Sequence, residues 1–594
     1  MSNPAPPPRL DHLPNGAHHL LVDGIPHLLR AAELNNSSLS SARYMKDIWP
    51  NLVEGNVNTV LGSVSWEQIE PDEGEYEFGE LDEVLRGARE WGLKVVLLWF
   101  GAYKNAMSTY APRWVKRDSK RFPRARTTSQ SGQTQVCDAL TVFSDNLVQS
   151  DARAFARLMA HLHEVDRGYT VIMVQVENEV GLLGDSRDRS GVANAVFEAP
   201  VPTDLIEALR RDWEILRPSL RERLGKFGES DFHASPPPAT ATWEQAFGKS
   251  TATDELFMAY HFAKYVEQVA STGKKEHLVP LYANAWLHSP PDPVANTPDS
   301  DNAQGGIDGS GAGAGAGAGS DPKPNPVGGG SEPGVYPSGG PVPGMLDIWQ
   351  VFAPSLSFLS PDIYTADYLD TCRSYSHRGQ TLFIPEQRRD EYGALRIWAA
   401  IGTYGAIGCS PFGIDTIDPT ATPFTEHYQL LKKVAPLILS ARTSGLETYG
   451  FWFDRFEAGE SDPSPTHTVR MGEWQLGIER AHVFGHPSPG YGMVIQQDPD
   501  RFLLIGEGFQ VSFKSTNPDS VFTGILSFEE KEVDPANPES GELRTLRLMN
   551  GDETRAGKHV VMPSRDPDYG DFFICITIPA RTRIAECSVY SLTE

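Results

Sequence analysis

The chain has little that would mark a metal centre or a disulfide scaffold. Its five cysteines, Cys137, Cys372, Cys409, Cys575 and Cys587, are odd in number and show no CxxC spacing. That excludes a tight zinc knuckle and leaves no disulfide framework, so they read as buried or partly buried thiols. There is no HExxH, and His18/His19 and His161/His163 are adjacent or two apart, which is not a helical ligand spacing. The expectation is that no metal is bound. No run approaches the roughly 18 to 20 uninterrupted apolar residues of a bilayer-spanning helix. The opening MSNPAPPPRLDHLPNG has neither the basic nor the apolar segment of a secretory signal. A cytoplasmic location without a membrane partner is the resulting expectation. Basic residues are scarce too, 52 Lys and Arg against 78 Asp and Glu, for a formal charge of −26. Such a surface repels nucleic acid and anionic membranes, and a neutral substrate fits it better.

What is present is a globular composition, with 40% hydrophobic residues, 22% charged residues and 12 tryptophans among 594 residues. That length implies about two to four domains, one of which has room for a full barrel. HLLVDGIPHLLRAAELNNSS reads as a strand, a turn at Asp23-Gly24 and a second strand ending near Glu33. SARYMKDIWPNLVEG has the length and composition of a helix, and VNTVLGSVSWEQIEP gives a strand from Val57 to about Trp66. Leu81, Val84, Leu85 and Ala88 then recur at helical spacing before the apolar run Lys94 to Gly101. Phe155, Leu158, Met159 and Leu162 repeat the pattern before TVIMVQVENEVG, Thr170 to Gly181. Later strands fall at Val279 to Leu287, Ser357 to Tyr364, Thr381 to Gln387 and Ala406 to Asp415. Eight strands alternating with one-sided helices predict a (β/α)8 TIM barrel over residues 1–445.

Two insertions interrupt the alternation. Residues 187–253 form an enlarged loop after strand four, with a helix at PTDLIEALRRDWEIL. Residues 289–345 are dense in Gly, Ala and Pro and read as disordered in their middle. Their end, Tyr336 to Pro341, reads as an ordered loop near the mouth of a site. Past a helix at HYQLLKKVAPLILSAR the character changes to hairpin-like segments such as YGMVIQQDPDRFLLIG, FQVSFKS, FTGILSFEEKEV and DFFICITIP. Residues 446–594 therefore read as an all-β, sandwich-like accessory domain that packs against the barrel.

In a TIM barrel the C-terminal strand ends share one rim, where polar residues are catalytic candidates. The rim collects Glu33 and Asn35; Trp66 and Glu67; Trp99, Lys104 and Asn105; Glu177, Asn178 and Glu179; Asn284 and Trp286; Asp362 and Tyr364; Glu386; and Asp415. Carboxylates, amides and aromatic rings, with no nucleophilic Ser or Cys motif, suit carbohydrate chemistry. Glycoside hydrolysis needs one carboxyl to protonate the leaving oxygen and a second to attack or to activate water.

The segments LLRAAELNNSS, NTVLGSVSWEQIEPDEGEYEF, VVLLWFGAYKNAMSTYAPRWV, VQVENEVG and FIPEQ resemble glycoside hydrolase family 35 and its clan A relatives, over roughly residues 20 to 440 outside the insertions. The resemblance implies a retaining, exo-acting β-glycosidase, first of all a β-galactosidase, with a carbohydrate substrate and no cofactor. It assigns Glu179 as acid/base, Glu386 as nucleophile, Asn178 to the sugar 2-hydroxyl and Tyr364 to orienting Glu386, and leaves Glu177 a supporting acid. Arg388 or Arg389 is the candidate for holding Glu386 ionised. The chain departs from the family at LLWFG, where relatives carry a sugar-binding Glu in a Cys-Ala-Glu-Trp stretch. Glu33 or Glu67 is the candidate substitute. Trp66, Trp99 and Trp286, with Trp114, are stacking candidates against a core-packing alternative, and Asn105 completes the binding set. The alternatives are another β-glycosidase or transglycosylase, or a non-catalytic carbohydrate-binding barrel; a homo-oligomer is a possible state.

Overall fold

The computed structural model describes residues 6–129, 131–225, 227, 237–288, 330–456, 460–481, 488–537, 540–565 and 581–594. Eight parallel strands close a barrel in sequence order: β1 Leu29–Glu33, β2 Thr59–Ser65, β3 Lys94–Lys104, β4 Val171–Asn178, β5 Leu281–Trp286, β6 Phe358–Ile363, β7 Ile384–Gln387 and β8 Gly408–Pro411. These are the eight strands read from the apolar runs. The periodic segments become α1 Gly79–Glu90 and α2 Asp145–Val165, which bury Leu81, Val84, Leu85 and Ala88, and Phe155, Leu158, Met159 and Leu162, against the strands. Ser144 starts α2 by accepting the Leu147 N–H, and Ser250 does the same for α3, Thr251–Glu276, through Thr253.

Two local expectations change. The run before Glu33 is not one strand: Ile25–His27 pairs back onto His18–Val22 through the Asp23-Gly24 turn, and the chain re-enters the barrel at Leu29. Leu20 and Val22 of that hairpin join Leu29, Val96, Leu98, Phe100, Ile172, Tyr282 and Phe383 inside the barrel, so the hairpin plugs its N-terminal end. The helix expected at SARYMKDIWPNLVEG is two short ones, Ala42–Met45 and Trp49–Glu54, the second with proline in its first turn. The enlarged loop after β4 carries helices Gly191–Phe197, Thr203–Asp212, Pro218–Arg223 and Trp243–Phe247. The Gly/Ala-rich stretch through residue 329 and the segment DFFICITIP lie outside the described residues.

After α4, Glu391–Gly402, and α5, Phe424–Ser444, the chain becomes all-β. A six-stranded antiparallel sheet, opened by Thr448–Phe453, faces a four-stranded one. Phe451, Leu476, Val494, Leu504 and Val511 fill the space between them. On its other face the six-stranded sheet packs Met493 and Ile505 into the same core as Trp398 and Ile401 of α4. The approach is close: a Cβ on Gly450 would lie 1.9 Å from the Trp398 carbonyl oxygen. Arg396 of α4 adds a two-pronged ion pair to Asp454 at 2.7 and 2.9 Å. Among the described residues no helix is long and apolar enough to cross a membrane.

Candidate active site

At the C-terminal end of β4 the backbone leaves the extended conformation twice. Glu177 and Glu179 have φ of 62° and 46°, a left-handed geometry that costs a non-glycine residue about 1 to 2 kcal/mol and clusters at functional sites. Successive side chains are thereby sent to different surroundings. Glu177 turns into the protein, where its carboxyl accepts the Ala102 and Tyr103 N–H groups at 3.3 and 2.7 Å and hydrogen-bonds with Asp151. Asn178 is fully buried, yet among the described residues neither atom of its amide has a partner. Glu179 joins the carboxylates of the neighbouring strands.

Those carboxylates come from three strand ends. Asp362 of β6 and Glu386 of β7 are register partners, and one carboxylate oxygen each from Glu179, Asp362 and Glu386 lie within 4.8 Å of one another. The Tyr364 hydroxyl donates to Glu386 Oε1 at 2.5 Å, while Glu386 Oε2 has no partner among the described residues. Asn284 of β5 links the group: its Oδ1 accepts the Glu179 N–H at 2.9 Å and its Nδ2 donates to Asp362 Oδ2 at 2.6 Å. Glu33 of β1 is buried nearby.

So many buried acids cannot all be ionised. Burial, then the charge of Glu386, push Glu179 up from 4.5 to about 7, against the pull of Lys104 and of a hydrogen bond with Asp362. Asp362 is held well above the usual carboxylate range by burial and then by Glu386 and Glu179. Glu33 is raised by burial and then by Glu386, with Lys104 opposing. Burial and Glu386 also raise the Tyr364 phenol, keeping it a hydrogen-bond donor at neutral pH. The cluster can therefore hold a proton at Glu179 beside an acceptor oxygen on Glu386.

Other expected residues lie elsewhere. Trp66 and Trp99 are not sugar platforms: both are fully buried, their indole N–H groups spent on Glu70 and Asp151 at 2.8 and 2.9 Å. In a strand end flanked by helices, large rings fill the strand–helix core. Trp114 is half-buried against Trp66 and Phe122, its N–H on the Glu70 carbonyl. Glu67 is exposed and meets Lys116 at 3.2 Å. Trp286 is half-buried, and among the described residues its indole N–H and the buried Asn105 Oδ1 have no partner. Neither arginine near the nucleophile candidate faces it: Arg388 binds Asp390, and Arg389 binds the Gly413 carbonyl and Thr416. The cation opposing the acids is Lys104. Lys104, Asn284 and Asp362 were visible as rim residues, but their roles rest on pairings between strands far apart in sequence. Asp415 accepts from Asn35 and Ser38 and ties the β8 and β1 loops together. The Tyr336–Pro341 loop is ordered, and Ser338 pairs with Leu182 in both directions at 2.8 and 3.0 Å, just past Glu179.

Comparison with known proteins gives a family match over part of the chain. The glycoside hydrolase family 42 model, described as β-galactosidase, matches residues 39–213, a span that includes Asn178 and Glu179. The family matched is 42, not 35. That corrects the expected family. A domain of unknown function matches residues 424–561, and no curated protein sequence matches the chain. Similar solved structures include the β-galactosidase of Bacillus circulans sp. alkalophilus, at 12% identity and TM-score 0.41 over 69% of this chain and 57% of that one. The β-galactosidase of Rahnella sp. R3 gives 15% and 0.42 over 72% and 58%. The β-amylase catalytic domain of Paenibacillus polymyxa gives 12% and 0.41 over 67% and 96%. The chain thus spans under two thirds of the length of the two β-galactosidases.

Proposed function

We propose that the protein is a retaining, exo-acting β-glycosidase, with terminal β-galactosides as its first substrate class. The barrel through residue 445 is its catalytic unit. The observation that carries this reading is the pair Glu179 and Glu386. One acid is raised to about 7, and one carboxylate oxygen of each lies within 4.8 Å of the other, a short separation that favours direct attack by Glu386 over a water held between the two groups. The family 42 match over residues 39–213 supports galactose.

In this mechanism Tyr364 fixes one oxygen of Glu386 and leaves Oε2 to attack the anomeric carbon. Protonated Glu179 gives its proton to the departing glycosidic oxygen. Ester formation removes the Glu386 charge, which is the second cause of the raised Glu179 pKa. Glu179 then becomes more acidic just when it must accept a proton from the incoming water. The unpartnered Asn178 amide is free to meet a sugar hydroxyl, and binding substrate would relieve a buried unsatisfied group.

The test is a panel of nitrophenyl β-glycosides on wild type, Glu179→Gln and Glu386→Gln, with the anomer of the first product followed by NMR. Turnover of a β-galactoside with retention, abolished in both variants, is expected. Lack of turnover, inversion, or full activity in either variant would refute the reading.

A further inference from the structure

The end of β3 is built in an unusual way for a barrel strand. Its ladder with β4 pairs Trp99 with Val176 and then Lys104 with Asn178, so five steps on one strand match two on the other. The extra residues form a bulge, a feature that re-aims side chains beside active sites. Glu177 and Asp151 hold it through the Ala102 and Tyr103 N–H groups. Gly101 is required there, since a Cβ would lie 2.4 Å from Trp99 Nε1 and 2.5 Å from Glu177 Oε1.

A tight turn follows. Lys104 and Met107 exchange N–H···O bonds at 2.8 and 3.0 Å, and Asn105 and Ala106 between them have φ of 51° and 57°. This is the type I′ pattern, which normally selects Asn-Gly, so Ala106 is strained. Its N–H donates to the Glu179 carbonyl at 3.1 Å, fastening the turn to the proposed acid/base.

The turn presents Lys104. The residue is only 8% exposed, and its Nζ lies 5.1 Å from the centroid of the Phe100 ring. Phe100 belongs to the side chains that fill the barrel interior, so the ammonium stands over the floor of the barrel mouth. Among the described residues Nζ makes no side-chain hydrogen bond or ion pair, and it is not one of the buried atoms cut off from solvent, so water reaches it from the barrel mouth. The groups around it are Glu33 from β1, Glu179 from β4 and the Tyr110 phenol, with Glu67 beyond Tyr110 and with Asp362 and Glu386 facing Glu179. A nearly buried ammonium that has no protein partner and meets solvent only at the barrel mouth is placed to donate to a ligand hydroxyl there.

We propose that Lys104 is a substrate-contacting residue whose ammonium donates to a hydroxyl of the terminal sugar, at the place where the sequence shows no carboxylate. The bulge and the strained turn are the devices that deliver it. The same charge also opposes the acids and restrains the proton affinity of Glu179. This rests on the glycosidase reading above.

The experiment is kcat and KM against pH for wild type, Lys104→Met and Lys104→Arg, with Glu179→Gln as control. Lys104→Met is expected to raise KM about tenfold, as for a lost charged hydrogen bond. It should also move the alkaline limb of kcat/KM upward by about half a pH unit or more, because the opposing cation is gone. Lys104→Arg should keep the limb in place. Near-ultraviolet circular dichroism checks the fold, and Lys104→Gln replaces the Met variant should that one not fold. A wild type active on glycosides whose Lys104→Met and Lys104→Gln variants keep both KM and the alkaline limb would overturn this inference alone, as would lost activity with an unmoved limb. A wild type that turns over no glycoside would overturn both readings.

Discussion

Glu179→Gln is expected to make the protein more stable as well as inactive, and to do so increasingly as pH rises. The carboxyl at position 179 has a folded-state pKa of about 7 against an ordinary 4.5. Between those values the folded state holds a proton that the unfolded state has lost. The unfolding free energy therefore falls as pH rises through this window and levels off above it. The interval from 4.5 to about 7 corresponds to about 3.4 kcal/mol in all. Of this, about 0.8 kcal/mol is already lost at pH 5 and about 3.3 kcal/mol at pH 8. A glutamine carries no such cost, so the advantage of the variant should widen by about 2.5 kcal/mol between the two pH values. With an unfolding entropy of about 1.2 kcal/mol/K for a chain this long, that is a gain of about 2 °C in Tm. Calorimetric melts of both proteins at pH 5 and pH 8 measure it. A gap that stays constant, or narrows toward pH 8, would show that Glu179 is not a buried acid of raised proton affinity.

Three further outcomes follow from the same geometry. The wild-type kcat/KM should decline above about pH 7 as Glu179 loses its proton, a limb visible in a pH–rate profile; a flat profile to pH 9 contradicts the assignment. Trp66→Phe should cost about 1 to 3 kcal/mol by stranding buried Glu70, read by denaturant titration, and leave KM unchanged, whereas Trp286→Ala should raise KM. Gly101→Ala should lower stability by about 1 to 3 kcal/mol through overpacking; a variant as stable as wild type would mean the bulge is not closed around that position.

The strands and the amphipathic helices were legible because burial imposes a period on sequence: Leu81, Val84, Leu85 and Ala88 show it on α1, and the apolar run 171–176 shows it on β4. Strand ends then gave the list from which the site is drawn. What periodicity does not carry is direction. Trp66 follows β2, Trp99 lies within β3 and Trp286 ends β5, yet only the last has an indole N–H without a partner among the described residues. Arg388 and Arg389 follow Glu386 directly but turn to Asp390 and the β8 loop. The cation that does face the acids arrives from β3 by way of a bulge whose anchor, Glu177, is more than seventy residues away. Such lateral contacts leave no local trace in a single sequence.

The contact of Gly450 with the Trp398 carbonyl bears on how this chain can be recombined. Trp398 lies on α4, the helix that leaves the strand of Glu386, and the fit admits only hydrogen at position 450. The β-rich region is therefore no freely transplantable module. A chimera that joins this barrel to a foreign C-terminal region, or this region to another barrel, must keep a glycine at the junction and the Arg396–Asp454 pair beside it.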